Sequence, residues 1–128
     1  MKSVLITGIT CYIGCELARR LVIDGVQVSG IVRKGSPVER LSPFQDQVSF
    51  YVSDGSQSSL DLAISKSQPD VIFHLAGYYV WEHTLEQEKE LLEANIAFGT
   101  RLLKAAKKSG THKIINTGSH FQYFESDE

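Results

Sequence analysis

Only two cysteines, Cys11 and Cys15, occur among the 128 residues. That is too few for a disulfide scaffold or a cysteine-based zinc site, so no metal is expected and a reducing cytoplasm is the default compartment. Charge of one sign is not in excess. Thirteen Lys and Arg stand against fifteen Asp and Glu, a net charge of −2. Nucleic-acid binding through bulk positive charge is thereby excluded. Long apolar runs are lacking too, and none approaches the ~20 residues that a bilayer span requires. The run Val4–Ile6 behind Met1-Lys2-Ser3 ends at Thr7-Gly8 without a small-residue cleavage site, so it does not read as a signal peptide. Proline is scarce: Pro37, Pro43 and Pro69 fall outside the periodic segments. No repeat, low-complexity tract or linker interrupts the chain, and residues 1–128 read as one domain.

What is present is an alternation of strand-like and helix-like patterns. Val4-Leu5-Ile6 is a continuous apolar run, the mark of a strand buried on both faces. Residues 13–24 follow as a helix, with Ile13, Leu17, Leu21 and Val22 on one face and Gly25 as its stop. Val26–Val32, Val48–Val52, Asp70–Leu75 and Lys113–Thr117 supply four more strands. Residues 34–46 read as loop with one helical turn. Ser56–Lys66 is a short helix ended by Pro69, and residues 84–109 form a long one ended by Gly110. Strands alternating with helices imply an α/β fold: a doubly wound parallel sheet, strand order 3-2-1-4-5, with helices on both faces. Only eleven residues follow Thr117, and the acidic end Glu125–Glu128 reads as frayed. The chain therefore reads as the front part of a larger protein.

The turn between the first strand and first helix, Thr7-Gly8-Ile9-Thr10-Cys11-Tyr12-Ile13-Gly14, lies where such folds bind a dinucleotide pyrophosphate. Unpaired amides and the positive end of the helix dipole attract a diphosphate there. The stretch resembles the Thr-Gly-x-x-Gly-x-x-Gly fingerprint of the extended short-chain dehydrogenases/reductases, the NAD-dependent epimerase/dehydratase family. Gly8 and Gly14 match its first and third glycines, and Cys11 stands in place of the second. Gly8, Thr10, Cys11, Tyr12, Ile13 and Gly14 thus become cofactor-binding candidates. A side chain at position 11 is expected to weaken or shift binding, so Cys11→Gly should tighten it. Plain packing is the other reading of both cysteines.

Several further segments carry the same resemblance. Arg33 ends the second strand where a carboxylate would favour NAD; with Ser36 it could pair a 2′-phosphate, which tilts the reading from NAD to NADP. A solvated strand end is the alternative. Asp54, followed by Gly55, matches an aspartate that the family places at the adenine amino group, and equally fits a local cap. His74-Leu75-Ala76-Gly77 resembles a segment whose small residues let the cofactor lie against the strand, with His74 read as a hydrogen-bonded core residue. Tyr78, Tyr79 and Trp81 read as packing or as pocket wall. Asn95, Gly99 and Leu102-Leu103 resemble the family's pattern Asn-x-x-Gly-Thr-x-x-Leu-Leu, here spaced Asn-x-x-x-Gly-Thr-x-Leu-Leu. That match implies polar support of the active site and a homodimer through the 84–109 helix. Residues Ile114–Tyr123 align on the family's catalytic strand end. The alignment gives Ser119 the role of hydrogen-bond donor to the reacting carbonyl oxygen, with Thr117 beside it. The family's Tyr-x-x-x-Lys acid pair and its substrate-binding region do not occur in the sequence. The resemblance therefore implies the cofactor-binding portion of a nucleotide-sugar epimerase, dehydratase or reductase working by hydride transfer, inert by itself. A non-catalytic NADP-sensing module is the alternative, and a flavin- or other nucleotide-binding fold a third.

Overall fold

The computed structural model describes residues 1–119. Positions 120–128, including the aligned Tyr123 and the acidic end, lie outside the described residues. Five parallel strands form one sheet in the order β3-β2-β1-β4-β5, as the alternation predicts. They are β1 (Ser3–Thr7), β2 (Gln27–Val32), β3 (Val48–Val52), β4 (Val71–His74) and β5 (Ile114–Asn116). The register sets Leu5 between Ser29 and Ile72, and Thr7 between Ile31 and His74. The helices are α1 (Tyr12–Ile23), α2 (Gln57–Ser67), α3 (Leu85–Leu92) and α4 (Phe98–Ser109).

Two cores sandwich the sheet. Val4, Ile6, Val28 and Val32 pack under α1 with Cys15, Ala18 and Leu21. Leu5, Ile31 and Ile72 pack on the opposite face against Leu60, Ile64, Leu102 and Ala106 of α2 and α4. A parallel strand with helices on both sides has no wet face, which is why Val4, Leu5 and Ile6 read as an unbroken apolar run.

Four details depart from the sequence reading. Ile13 is 62% exposed and takes no part in the face formed by Cys15, Ala18 and Leu21; at 3.6 residues per turn it stands well round the helix from them. The segment 34–47 holds two short 3₁₀ turns, Glu39–Leu41 and Gln45–Gln47, and Leu41 and Phe44 are buried in the α1-side core. The α2 helix stops on Gln68 in the left-handed conformation (φ 41°), before Pro69. The long helix contains a π turn at Glu93–Ala97 joining α3 to α4. Its start is a capping box between Thr84 and Gln87, and its stop is Gly110 at φ 81°. Among the described residues, no helix is long and apolar enough to cross a membrane.

Candidate functional site

The carboxyl ends of the strands open into a cleft of about 1180 Å³. It lies at the ends of the neighbouring strands β1 and β4, whose following helices pack on opposite faces of the sheet, the switch point at which open parallel sheets bind ligands. Its floor is the β1–α1 turn. Gly8 has φ +72°, and a Cβ there would stand 2.8 Å from the Ala76 nitrogen. A Cβ on Gly14 would stand 2.2 Å from the Gly8 carbonyl oxygen. Both positions must be glycine for the turn to press this closely against β4 and for α1 to start this close to it.

Cys11 is the N-cap of α1, and its sulfur accepts the Gly14 amide at 3.3 Å. Side-chain capping of this kind satisfies one of the orphan amides of a helix start. The thiol therefore occupies a donor that a diphosphate would otherwise use. Cys11 is exposed and lines the cleft, so packing does not describe it. Cys15 is buried, its thiol donates to the Arg40 carbonyl at 3.2 Å, and burial pushes its pKa up.

The structure brings most of the sequence candidates to the cleft: Gly8, Thr10, Cys11, Arg33, Asp54, Gly55, Leu75, Ala76 and Gly77 all line it. Tyr12 and Ile13 are 72% and 62% exposed and stand outside that lining, as does buried Gly14. What these three contribute to the cleft end is the opening of α1. Arg33 is exposed, and its amide donates to the Ser36 hydroxyl at 3.0 Å, folding the turn after β2. Asp54 accepts the Ser56 amide at 2.9 Å, and bonds from the Ser56 side chain and main chain hold its pKa down at about 2. The local turn role is thus real, and the residue still faces the cleft.

Asn95 stands just behind the lining. Its amide makes two 2.8 Å bonds to the Tyr78 main chain, accepting from N–H and donating to C=O. The π turn that carries it rotates the helix at this residue. Tyr78 lines the cleft, whereas Tyr79 and Trp81 are 79% and 85% exposed and cover nothing among the described residues. Thr117 bonds the His74 carbonyl through both its amide and its hydroxyl, each at 3.3 Å, at the end of the β4–β5 pair. Ser119 is exposed, two residues past Thr117. His74 is hydrogen-bonded as read, but half-buried at the strand end and not in either core: its Nδ1 sits 2.7 Å from the Thr7 hydroxyl, and burial pushes its pKa down.

Sequence reasoning missed Val52, Leu62, Phe98, Glu90 and Glu93, all of which line the cleft. Val52 and Leu62 are large apolar groups left 66% and 54% exposed beside Asp54, a suitable wall for a flat heterocycle. Val52 ends β3 and Leu62 lies mid-way along α2, and periodicity alone does not separate either from ordinary surface.

A glycine-floored turn, a helix start and a cleft at the switch point define a doubly wound, dinucleotide-type fold. Residues 4–128 match the family model described as the NAD dependent epimerase/dehydratase family, and the chain belongs to that family. It is 30% identical over 118 residues to UDP-glucose 4-epimerase of Mycolicibacterium smegmatis, which covers 90% of this chain and 38% of that enzyme. The crystal structure of the Bordetella bronchiseptica enzyme WbmH in complex with NAD⁺ superposes with a TM-score of 0.75 at 25% identity, covering 89% and 38% of the two chains. UDP-glucose 4-epimerase from Bifidobacterium longum, solved with NAD⁺ and UDP, shares the fold with a TM-score of 0.85 at 24% identity, covering 98% and 39%. The chain thus spans less than two-fifths of each of these three proteins.

Proposed function

We propose that this chain is the coenzyme-binding portion of a nicotinamide-dependent enzyme that epimerises, dehydrates or reduces a nucleotide sugar. The carrying observation is the floor of the cleft, where Gly8 and Gly14 leave no room for a Cβ and the first turn of α1 opens beside them. Such a cradle suits a diphosphate, because backbone amides and the helix dipole supply its charge complement without a lysine. Asp54 with Val52 and Leu62 would hold the adenine, Arg33 its ribose, and Leu75, Ala76 and Gly77 the far half of the coenzyme. Asn95 would keep the Tyr78 loop in place, with Thr117 and Ser119 at the neighbouring strand end. The coenzyme supplies reversible hydride acceptance from a sugar carbon; Ser119 would donate a hydrogen bond to the sugar oxygen. The apolar stripe Leu85, Leu92, Ile96 and Leu103, exposed along α3 and α4, supports a homodimer through this helix.

The test of binding is calorimetric titration of the purified chain with NAD⁺ and NADP⁺. Saturable 1:1 binding of at least one supports the reading, and no heat with either overturns it. Arg33 supports a preference for NADP(H): its guanidinium can pair a 2′-phosphate, and the Ser36 hydroxyl retains a proton to donate. Arg33→Asp should cost about tenfold in NADP⁺ affinity while sparing or improving NAD⁺, since a charged hydrogen-bond pair is worth roughly 1.5–3 kcal/mol. An unchanged affinity ratio would remove Arg33 from the site. Cys11→Gly frees the Gly14 amide and should tighten coenzyme binding by about threefold to tenfold, one neutral hydrogen bond's worth. Equal or weaker affinity in that variant would show that the thiol costs the site nothing.

A further inference from the structure

The loop after β3 forms one wall of the cleft, and it is tied down from an unexpected side. The Arg101 side chain reaches from α4 and donates from Nε to the Gly55 carbonyl at 2.7 Å. The main-chain carbonyl of the same residue accepts Gln57 Nε2 at 3.1 Å. Arg101 therefore grips the loop on both sides of Ser56, once by its side chain and once by its backbone. Gly55 itself is at φ +82°, and its amide is held by the Ser53 hydroxyl at 3.0 Å. The other end of the guanidinium pairs with Glu93, in the π turn that carries Asn95. The Arg101 side chain is only 25% exposed, so its charge is spent on these partners and not offered to the cleft.

We infer that Arg101 is a positioning residue for coenzyme binding: it latches the Asp54–Gly55 loop to α4 in the geometry that receives the adenosine half. The inference rests on the functional reading above. One helix thus fixes both walls of the cleft, the Tyr78 side through Asn95 and the Gly55 side through Arg101. A wall held before the ligand arrives does not have to be ordered on binding, and that saving appears as affinity. Without the guanidinium, the Gly55 carbonyl loses its partner from α4, and the loop keeps its own short-range bonds and the bond of Gln57 to the main-chain carbonyl of position 101.

The experiment compares wild type with Arg101→Met, Arg101→Lys and Lys108→Met. Lys108 bridges α4 to Asp61 of α2 at 2.6 Å, away from the cleft, so its variant reports a structural link of the same two helices. Calorimetry reads NAD⁺ and NADP⁺ affinity, hydrogen exchange reads the Gly55 and Ser56 amides, and both titrations are repeated at two salt concentrations. Arg101→Met should lose about tenfold in affinity with faster exchange at Gly55 and Ser56, an effect of the size that preorganised contacts supply. Arg101→Lys should recover part of both, because an ammonium can still donate to one carbonyl; it also serves if the methionine variant fails to fold. Lys108→Met should leave affinity within about twofold of wild type. A loss that grows as salt falls would assign Arg101 to direct phosphate contact and overturn the latch. Equal affinity and exchange in Arg101→Met would overturn it too. No coenzyme binding by wild type would instead overturn the functional reading beneath it, a different result from either.

Discussion

Gly14→Ala should destabilise the fold and weaken coenzyme binding together. Alanine inside a helix is ordinarily the better residue by about 1 kcal/mol. Here the added methyl would lie 2.2 Å from the Gly8 carbonyl oxygen and 2.8 Å from the Ile9 Cα. Both obstacles are backbone, so no rotamer change relieves them. Either α1 moves away from the sheet or the β1–α1 turn is pushed out of the cleft floor. Ile9 is fully buried in the core under α1, which ties the turn to packed residues and makes its displacement costly. Overpacking against fixed atoms costs ~1–3 kcal/mol or more, and the lost helix–strand contact adds to it. A destabilisation of about 3 kcal/mol should lower Tm by roughly 10 °C in a domain of this size. Affinity for the coenzyme should fall about a hundredfold, since a shifted floor forfeits several amide contacts at once. Gly25→Ala is the control. Gly25 has φ +74° but nothing within 4 Å of an added Cβ, so only backbone strain of about 1 kcal/mol opposes it. Chemical denaturation and calorimetry on the two variants give the comparison. A Gly14→Ala protein as stable as Gly25→Ala and still binding would remove the close approach from the account of this site.

The architecture was legible because each element carries a local signal that agrees with its neighbours. Val4-Leu5-Ile6 has no polar interruption because both its faces are covered. Gly110 stops the long helix at the residue expected. The same local reading explains the misses. Ile13 shares a spacing with Leu17, but at 3.6 residues per turn it stands well round α1 from Gly14, Cys15, Ala18 and Leu21, the residues that the helix buries. Leu41 and Phe44 flank Pro43 in a segment with no periodicity, and only the shape of the α1-side core buries them. The π turn is invisible to a 3.6-residue pattern because Asn95 and Glu93 need it only once their distant partners, Tyr78 and Arg101, are in place.

The candidate site divides the same way. Residues of the glycine turn, Asp54 and Leu75–Gly77 could be named because their chemistry travels with a fixed sequence offset from a strand end. Val52, Leu62, Phe98 and Arg101 could not, since their roles come from helices and strands meeting across the sheet. The contact between Arg101 and Gly55 joins positions 46 apart in sequence, and no window short enough to show periodicity contains both.

Thr7→Val should cost more than its near-identical shape suggests, and both proteins should lose stability alike as pH falls. Thr7 is 1% exposed at the end of β1. Its hydroxyl oxygen accepts the Ala76 amide at 3.2 Å and sits 2.7 Å from His74 Nδ1. The oxygen has a second lone pair beside the one used by Ala76, so the bond to Nδ1 forms with either imidazole tautomer. Valine keeps the volume and deletes the bridge, leaving a part-buried amide and a ring nitrogen without this partner. Two such losses cost about 2–3 kcal/mol, or roughly 7–10 °C in Tm. Burial lowers the His74 pKa below its ordinary 6.5, so the folded state holds the neutral ring. The sign follows from proton uptake. Above about pH 6.5 neither state is protonated at this ring and the full stability is present. As pH falls below that value the unfolded chain gains a proton that the folded chain refuses, and stability is lost until the folded pKa is reached. Thr7→Val leaves in place the burial that holds the His74 pKa down, so the acid-side loss is the same in both proteins. Thermal melts of wild type and variant from pH 5 to pH 8 should therefore fall together toward pH 5, with a roughly constant gap between them. A gap that changes across that range would mean that the hydroxyl, and not burial alone, sets the charge state of His74.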